Sequence, residues 1–214
     1  SGVRSAALGG SSQTASGADA CVIGGASNIS SGVKSAVVGG STNTASGQQG
    51  GVFVGTSNSV TGHNSVIVGG GSNNCNDHAS SARGSGIFAS SACTIGSLQD
   101  VTCGGTIVGA VSSALSGNIG VIIGGEFHTI TVDGQDGFVA GGSNNTVSGP
   151  SGTVLGGSNN TASGVGSVVV SGGNNTASGV GSAVFGGGGG FGLGNTASGD
   201  RCVVVGGSAN TASE

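Results

Sequence analysis

Short apolar runs, each closed by a pair of small residues, return about every 15 positions along this chain. The clearest copy is Ser35 to Gly47, SAVVGGSTNTASG, and stretches 5–17, 21–32, 153–164 and 182–199 repeat it with changes. Counting from the first residue of each glycine-type corner gives markers at Gly9, Gly24, Gly39, Gly55, Gly69, Ala89, Gly109, Gly124, Gly141, Gly156, Ser171, Gly186 and Gly206. Six of the twelve steps are 15 residues, with slips of 14, 16 and 17 and three steps of 20. A period this short predicts one solenoid coil per repeat, each coil touching only its neighbours. The fold class expected is all-β: a parallel β-roll of about 13 coils spanning 1–214 as a single repeat domain.

Within a coil, the residues before the marker predict a short strand and those around position +6 a second one. Positions −1 (Leu8, Ile23, Val38) and −3 (Ala6, Cys21, Ala36) share one face and are expected inside, opposite the +6 column of Ala15, Ala45, Leu115 and Ala162. Position −2 is then expected outside. It reads Ala7, Val22, Val37, Phe53, Ile67, Ile87, Ile107, Ile122, Val139, Val154, Val169, Val184 and Val204. A wet apolar stripe of that kind, about 60 Å long at about 4.8 Å per coil, predicts an interface through which copies of the chain associate.

The NTAS segment predicts a second outward face. Position +4 carries Asn28, Asn43, Asn58, Asn73, Asn145, Asn160, Asn175, Asn195 and Asn210, an expected structural ladder of stacked amides. Beside it run a Thr row at +5 (Thr44, Thr146, Thr161) and a Ser row at +7 (Ser46, Ser148, Ser163). Insertions at 76–84, 97–104 and 187–194 interrupt the tiling, and the first carries Asp77, His78 and Arg83. Loops of this kind leave a solenoid on one edge, often the binding edge.

The tandem unit S-[AV]-[VI]-V-G-G-x-x-N-T-A-S-G resembles the head repeats of trimeric autotransporter adhesins, the YadA-like family, and related phage and viral fibre repeats. The resemblance covers nearly the whole chain. It implies a left-handed roll, three chains around one axis, and adhesion to host-surface or matrix molecules or glycans. The chain departs from that family's usual 14-residue repeat and its Ala after the first apolar residue, and it carries no neck, stalk or anchor motif.

Composition narrows the functions. Only 6% of residues are charged and the net charge is −4, which excludes an electrostatic nucleic-acid binder. No apolar run approaches a membrane span. Glycine, at 51 of 214 residues, lacks the Gly-X-Y period of collagen. His63, His78 and His128 fall on separate coils with no nucleophile repeating beside them, so no catalytic centre and no cofactor are expected. Asp133 and Asp136 supply too few carboxylates for a strong calcium site, and the five cysteines lack zinc spacing. Cys93 and Cys103 bracket one insertion and are candidates for a disulfide across it. Sequons occur at Asn28-Ile29-Ser30, Asn144-Asn145-Thr146, Asn159-Asn160-Thr161 and Asn174-Asn175-Thr176, although an Asn ladder beside a Thr column also spells Asn-Asn-Thr.

The expected function is that of a non-enzymatic, extracellular structural or adhesive fibre segment on a cell or virion surface. It would associate with itself as a homotrimer, an end-to-end filament or both: the uncapped terminal coils, cut in phase, predict either continuation in a longer fibre or head-to-tail stacking of separate chains. The alternative is an ice-binding solenoid that uses the Thr-Ala-Ser rows as a flat template.

Overall fold

A computed structural model describes residues 2–76, 84–96, 104–187 and 193–214. The chain is an all-β parallel solenoid of about 13 turns with a spacing of about 15 residues, and the described residues contain no helix. Each coil contributes one three-residue and one two-residue strand, such as Ala36–Val38 and Thr44–Ala45. Equivalent residues of successive coils pair in register: Val22 with Val37 on the long strands, Thr44 with Ser59 on the short ones. A third ladder of single-residue bridges runs through Ser11, Ala26 and Ser41.

The chain divides into two units, Ser1–Ala110 and Val111–Glu214. The first holds the long strands from Ala6–Leu8 to Thr106–Val108 and the short strands from Thr14–Ala15 to Thr94–Ile95. The second holds the short strands from Ala114–Leu115 to Thr211–Ala212 and the long strands from Val121–Ile123 to Val203–Val205. In both, the ladders keep register across irregular spacing. Ile67 pairs with Ile87, and Ile122 with Val139. The insertion residues 77–83, 97–103 and 188–192, including Asp77, His78, Arg83 and Cys103, lie outside the described residues.

The interior inverts the expected assignment of faces. Val22, Val37, Ile67, Ile87, Ile107, Ile122, Val139, Val154, Val169 and Val184 are 0% exposed, and Val204 is buried at 7%. The −2 column is therefore the core and cannot be an interface. It packs inside the coil with Ala45, Val60, Ile95, Leu115, Ile130 and Ala162, which are buried as expected. The reason is width. A three-residue strand places its middle side chain on one side and both flanking ones on the other, and a one-residue offset exchanges the faces. A coil this narrow closes around one residue per strand, so the middle one goes in.

Phe53 is a separate correction. Val52, not Phe53, pairs with Val37 and Ile67, while Phe53 aligns with Val38 and Val68 and is exposed. The sequence marker slipped by one in that coil. Val54 takes the left-handed backbone (φ 56) that Gly39 (φ 71) and Gly69 (φ 75) hold in the flanking coils.

Left-handed residues make the corners. In one coil they are Lys34 (φ 57), Gly39 (φ 71), Gly40 (φ 75) and Thr42 (φ 58). Glycine is required at the third of these: on the equivalent Gly25, a Cβ would run into the Gly40 carbonyl oxygen and the Asn28 side-chain nitrogen. Side chains are tolerated at Lys34 and Thr42, whose N–H groups donate to Ala18 (2.8 Å) and Ala26 (2.9 Å) one coil away.

Candidate functional site

The faces that remain outside are the candidates. The long strands present positions −3 and −1, an apolar surface on each unit. Ile23 (43% exposed), Phe53 (41%) and Phe88 (36%) mark it on the first unit, and Ile123 (46%), Leu155 (41%) and Phe185 (46%) on the second. No charged residue occupies either column, and the polar ones are Thr106 and Thr153.

At their phenylalanines the two columns compensate for each other in size. Where −1 is Phe53 or Phe88, −3 is Gly51 or Gly86, and each ring lies over its glycine. A Cβ on Gly51 would stand 3.1 Å from the Phe53 ring, and one on Gly86 2.6 Å from that of Phe88. Ala183 precedes Phe185, and the order reverses at Phe138 and Ala140. Large beside small levels the sheet surface. Water places no such demand on an outer face, whereas a flat partner does.

The short strands carry the hydroxyl rows. On the second unit Thr129, Thr146, Thr161, Thr176, Thr196 and Thr211 are in unbroken register. The first unit has a mixed row, with Ile29 between Thr14 and Thr44 and Ser59 after it.

The asparagines do form a ladder, but inside rather than on an outward face. Asn28, Asn43, Asn145, Asn160, Asn175 and Asn195 are 0% exposed, Asn58 and Asn73 are 1%, and only Asn210, on the last coil, is exposed. The links run from side chain to backbone. The Asn43 N–H donates to Asn28 Oδ1 at 2.9 Å, Asn58 to Asn43 at 3.0 Å, and Asn175 to Asn160 at 3.0 Å. Each Nδ2 is spent on corner carbonyls, Asn160 donating to Gly156 (3.2 Å) and Gly172 (3.1 Å). Amide next to amide, the expected pattern, occurs once in the described ladder, from Asn73 Nδ2 to Asn58 Oδ1 (3.1 Å). Satisfying buried corner groups is what this column does.

Four other residues substitute in the ladder, the first being Gln13, whose Oε1 accepts the Asn28 N–H (3.1 Å). Cys93 accepts the slot after Asn73, its N–H donating to Asn73 Oδ1 (3.0 Å) and its Sγ to the Ala110 carbonyl (3.3 Å). The proposed partner Cys103 lies outside the described residues. Ser113 Oγ accepts from the His128 N–H (3.0 Å), and His128 Nδ1 from the Asn145 N–H (3.3 Å). Burial lowers the His128 pKa from its ordinary value, partly offset by the Glu126 carboxylate. His63 is half-buried on another coil, and Asp133 and Asp136 are exposed. Among the described residues no three His, Cys, Asp or Glu side chains converge as a metal site.

No protein-family model and no curated protein matches the chain.

Sequence reasoning placed the period and the strands but assigned the faces backwards. One signal would have corrected it. The −2 residues are nearly all Val or Ile, a constant volume, whereas −1 and −3 range from Gly to Phe. Unbroken β-branched identity suits the middle of a narrow core, and the +6 column packed against it, Ser30 to Leu115, takes up the variation in volume inside.

Proposed function

We propose that this chain is a non-enzymatic structural segment of an extracellular adhesive fibre. Copies associate laterally through the −3/−1 sheet face as a homotrimer and stack end to end as a filament. The carrying observation is the face itself: apolar, uncharged and, at its phenylalanines, levelled by a small residue on both units. A second copy supplies a matching surface, because a partner for this face must be flat and uncharged. Leaving each half-exposed Val, Leu or Ile wet forgoes about 1 kcal/mol, half the value for full burial, and coil after coil repeats the loss. Light scattering on the purified chain should give three times the mass of one chain, or whole multiples of that trimer where trimers have stacked. A monomer at micromolar concentration would remove the proposal.

The in-register Thr129–Thr211 row favours a second reading, in which the hydroxyl face of the second unit meets an ordered lattice such as ice. Thermal hysteresis of the same sample tests it, and its absence would dismiss this reading.

A further inference from the structure

We infer that Asn144, Asn159 and Asn174 form a stacked edge of N-glycan acceptors on the second unit, and that the fourth sequon, at Asn28, is not used. A sequon requires an asparagine and, two residues on, a hydroxyl, both presented outside the folded chain. Asn28 fails this, because it is a ladder asparagine with 0% exposure and its hydroxyl partner Ser30 is also 0% exposed.

The other three are built differently. Their middle residues, Asn145, Asn160 and Asn175, are the ladder asparagines and point inward. The acceptor Asn stands one residue earlier, at the left-handed corner (φ 53, 56 and 59), and the Thr one residue later is on the outward side of the short strand. Alternation thus puts acceptor and hydroxyl together outside. Asn144 and Asn159 are exposed and Asn174 is half-buried.

A ladder beside a Thr row does not by itself spell these motifs. The ladder Asn is followed two residues on by the inward column, where Ala45, Val60, Ala162 and Ala177 are buried and a hydroxyl is the exception. The motif needs an extra Asn at the corner, a position filled elsewhere by Ser27, Thr42, Ser72, Ala92 and Phe127 with the same left-handed backbone. Those corner N–H groups bond along the axis whatever the side chain, as Asn159 does to Ser143 (3.0 Å) and Ser72 to Thr56 (2.9 Å). That backbone bond therefore does not itself demand asparagine at these corners.

The reaction is glycosyl transfer from a lipid-linked pyrophosphate oligosaccharide. The Asn Nδ2 forms a bond to the sugar C1, the C1–O bond to pyrophosphate breaks, Nδ2 loses one proton, and the lipid pyrophosphate leaves. Transfer precedes coil closure, and the corner then holds the sugar outside. Adjacent acceptors lie about 4.8 Å apart along the axis, close to the width of one sugar ring, so a chain carries one or two glycans rather than three. The glycine corner and the bridge segment separate this edge from the apolar face, so sugar and self-association do not compete.

The inference rests on the extracellular reading only for the compartment, and its test supplies that compartment. The full chain, secreted from a eukaryotic host behind a leader peptide, is treated with peptide N-glycosidase in heavy-oxygen water and mapped by mass spectrometry. Heavy-labelled Asp is expected at 144, 159 or 174 and not at 28. The triple variant N144Q/N159Q/N174Q should lose the mass shift and keep the circular dichroism of the parent. An unmodified chain, secreted alongside a control protein that is glycosylated, would overturn the inference, as would label at Asn28. Neither result bears on the mass of the unglycosylated protein, which tests self-association separately.

Discussion

At the scale of single residues, the informative positions are those where a buried polar group is or is not answered. Ser167 and Ser182 precede the long strands at the corner that faces the inward column of the short strands, where the equivalent Ser35 meets Ser30; both are 0% exposed, and their hydroxyls have no hydrogen-bond partner. The equivalent place in an earlier coil is held by Ala20, 1% exposed. Ser182→Ala should therefore stabilise the protein by about 1 kcal/mol, the typical penalty of an unanswered buried hydroxyl, and raise its thermal midpoint. His128 makes the opposite point. Its Nδ1 accepts the Asn145 N–H, and protonation there would set one N–H against another. Burial lowers its folded pKa below the ordinary value of about 6.5, so the unfolded chain binds the proton more readily. Stability is then full above about pH 6.5 and declines as pH falls below it. The thermal midpoint should drop between pH 7 and pH 5.5, and His128→Asn, which restores the ladder residue, should flatten that profile. An unchanged slope in the variant would exonerate His128.

At the scale of the strand, one substitution has opposite outcomes on adjacent residues. Val37→Lys buries an ammonium in a core one residue wide and should abolish folding, visible as loss of the β signal in circular dichroism. Ile23→Lys, Ile123→Lys and Leu155→Lys together place charge on the outer face, where the coil itself is indifferent to it. They should give folded monomers in light scattering; a folded trimer would locate the interface elsewhere. This contrast also shows where sequence stopped being legible. Period, strand positions and the inward +6 column follow from glycine and Val spacing alone. Which side of a three-residue strand is inside does not, because Val37 and Val38 are equally apolar and alternation says only that they differ. The ladder was legible as a column, since only Asn recurs there. Its burial was not, because facing the corner carbonyls depends on the left-handed turn of Gly39 and Gly40. Phe53 was misread for a related reason, a left-handed Val54 standing where glycine was expected.

For the molecule as a whole, the repeated register means that almost every coil is answered by a copy of itself. Removing residues 160–174 joins Asn159 to Asn175 and brings Val154 beside Val184, with the core, ladder and corner columns unbroken. That shortened chain should fold with a melting profile close to the parent's. Removing 160–167 instead would set inward residues against outward ones, and it should not fold. Mutation during replication makes the same experiment without design wherever tandem repeated units misalign and one is gained or lost. Each whole-unit change delivers a protein that is already packed. Length is therefore the trait this lineage can alter most freely, and the count of coils is open to selection for reach without any new solution to the folding problem.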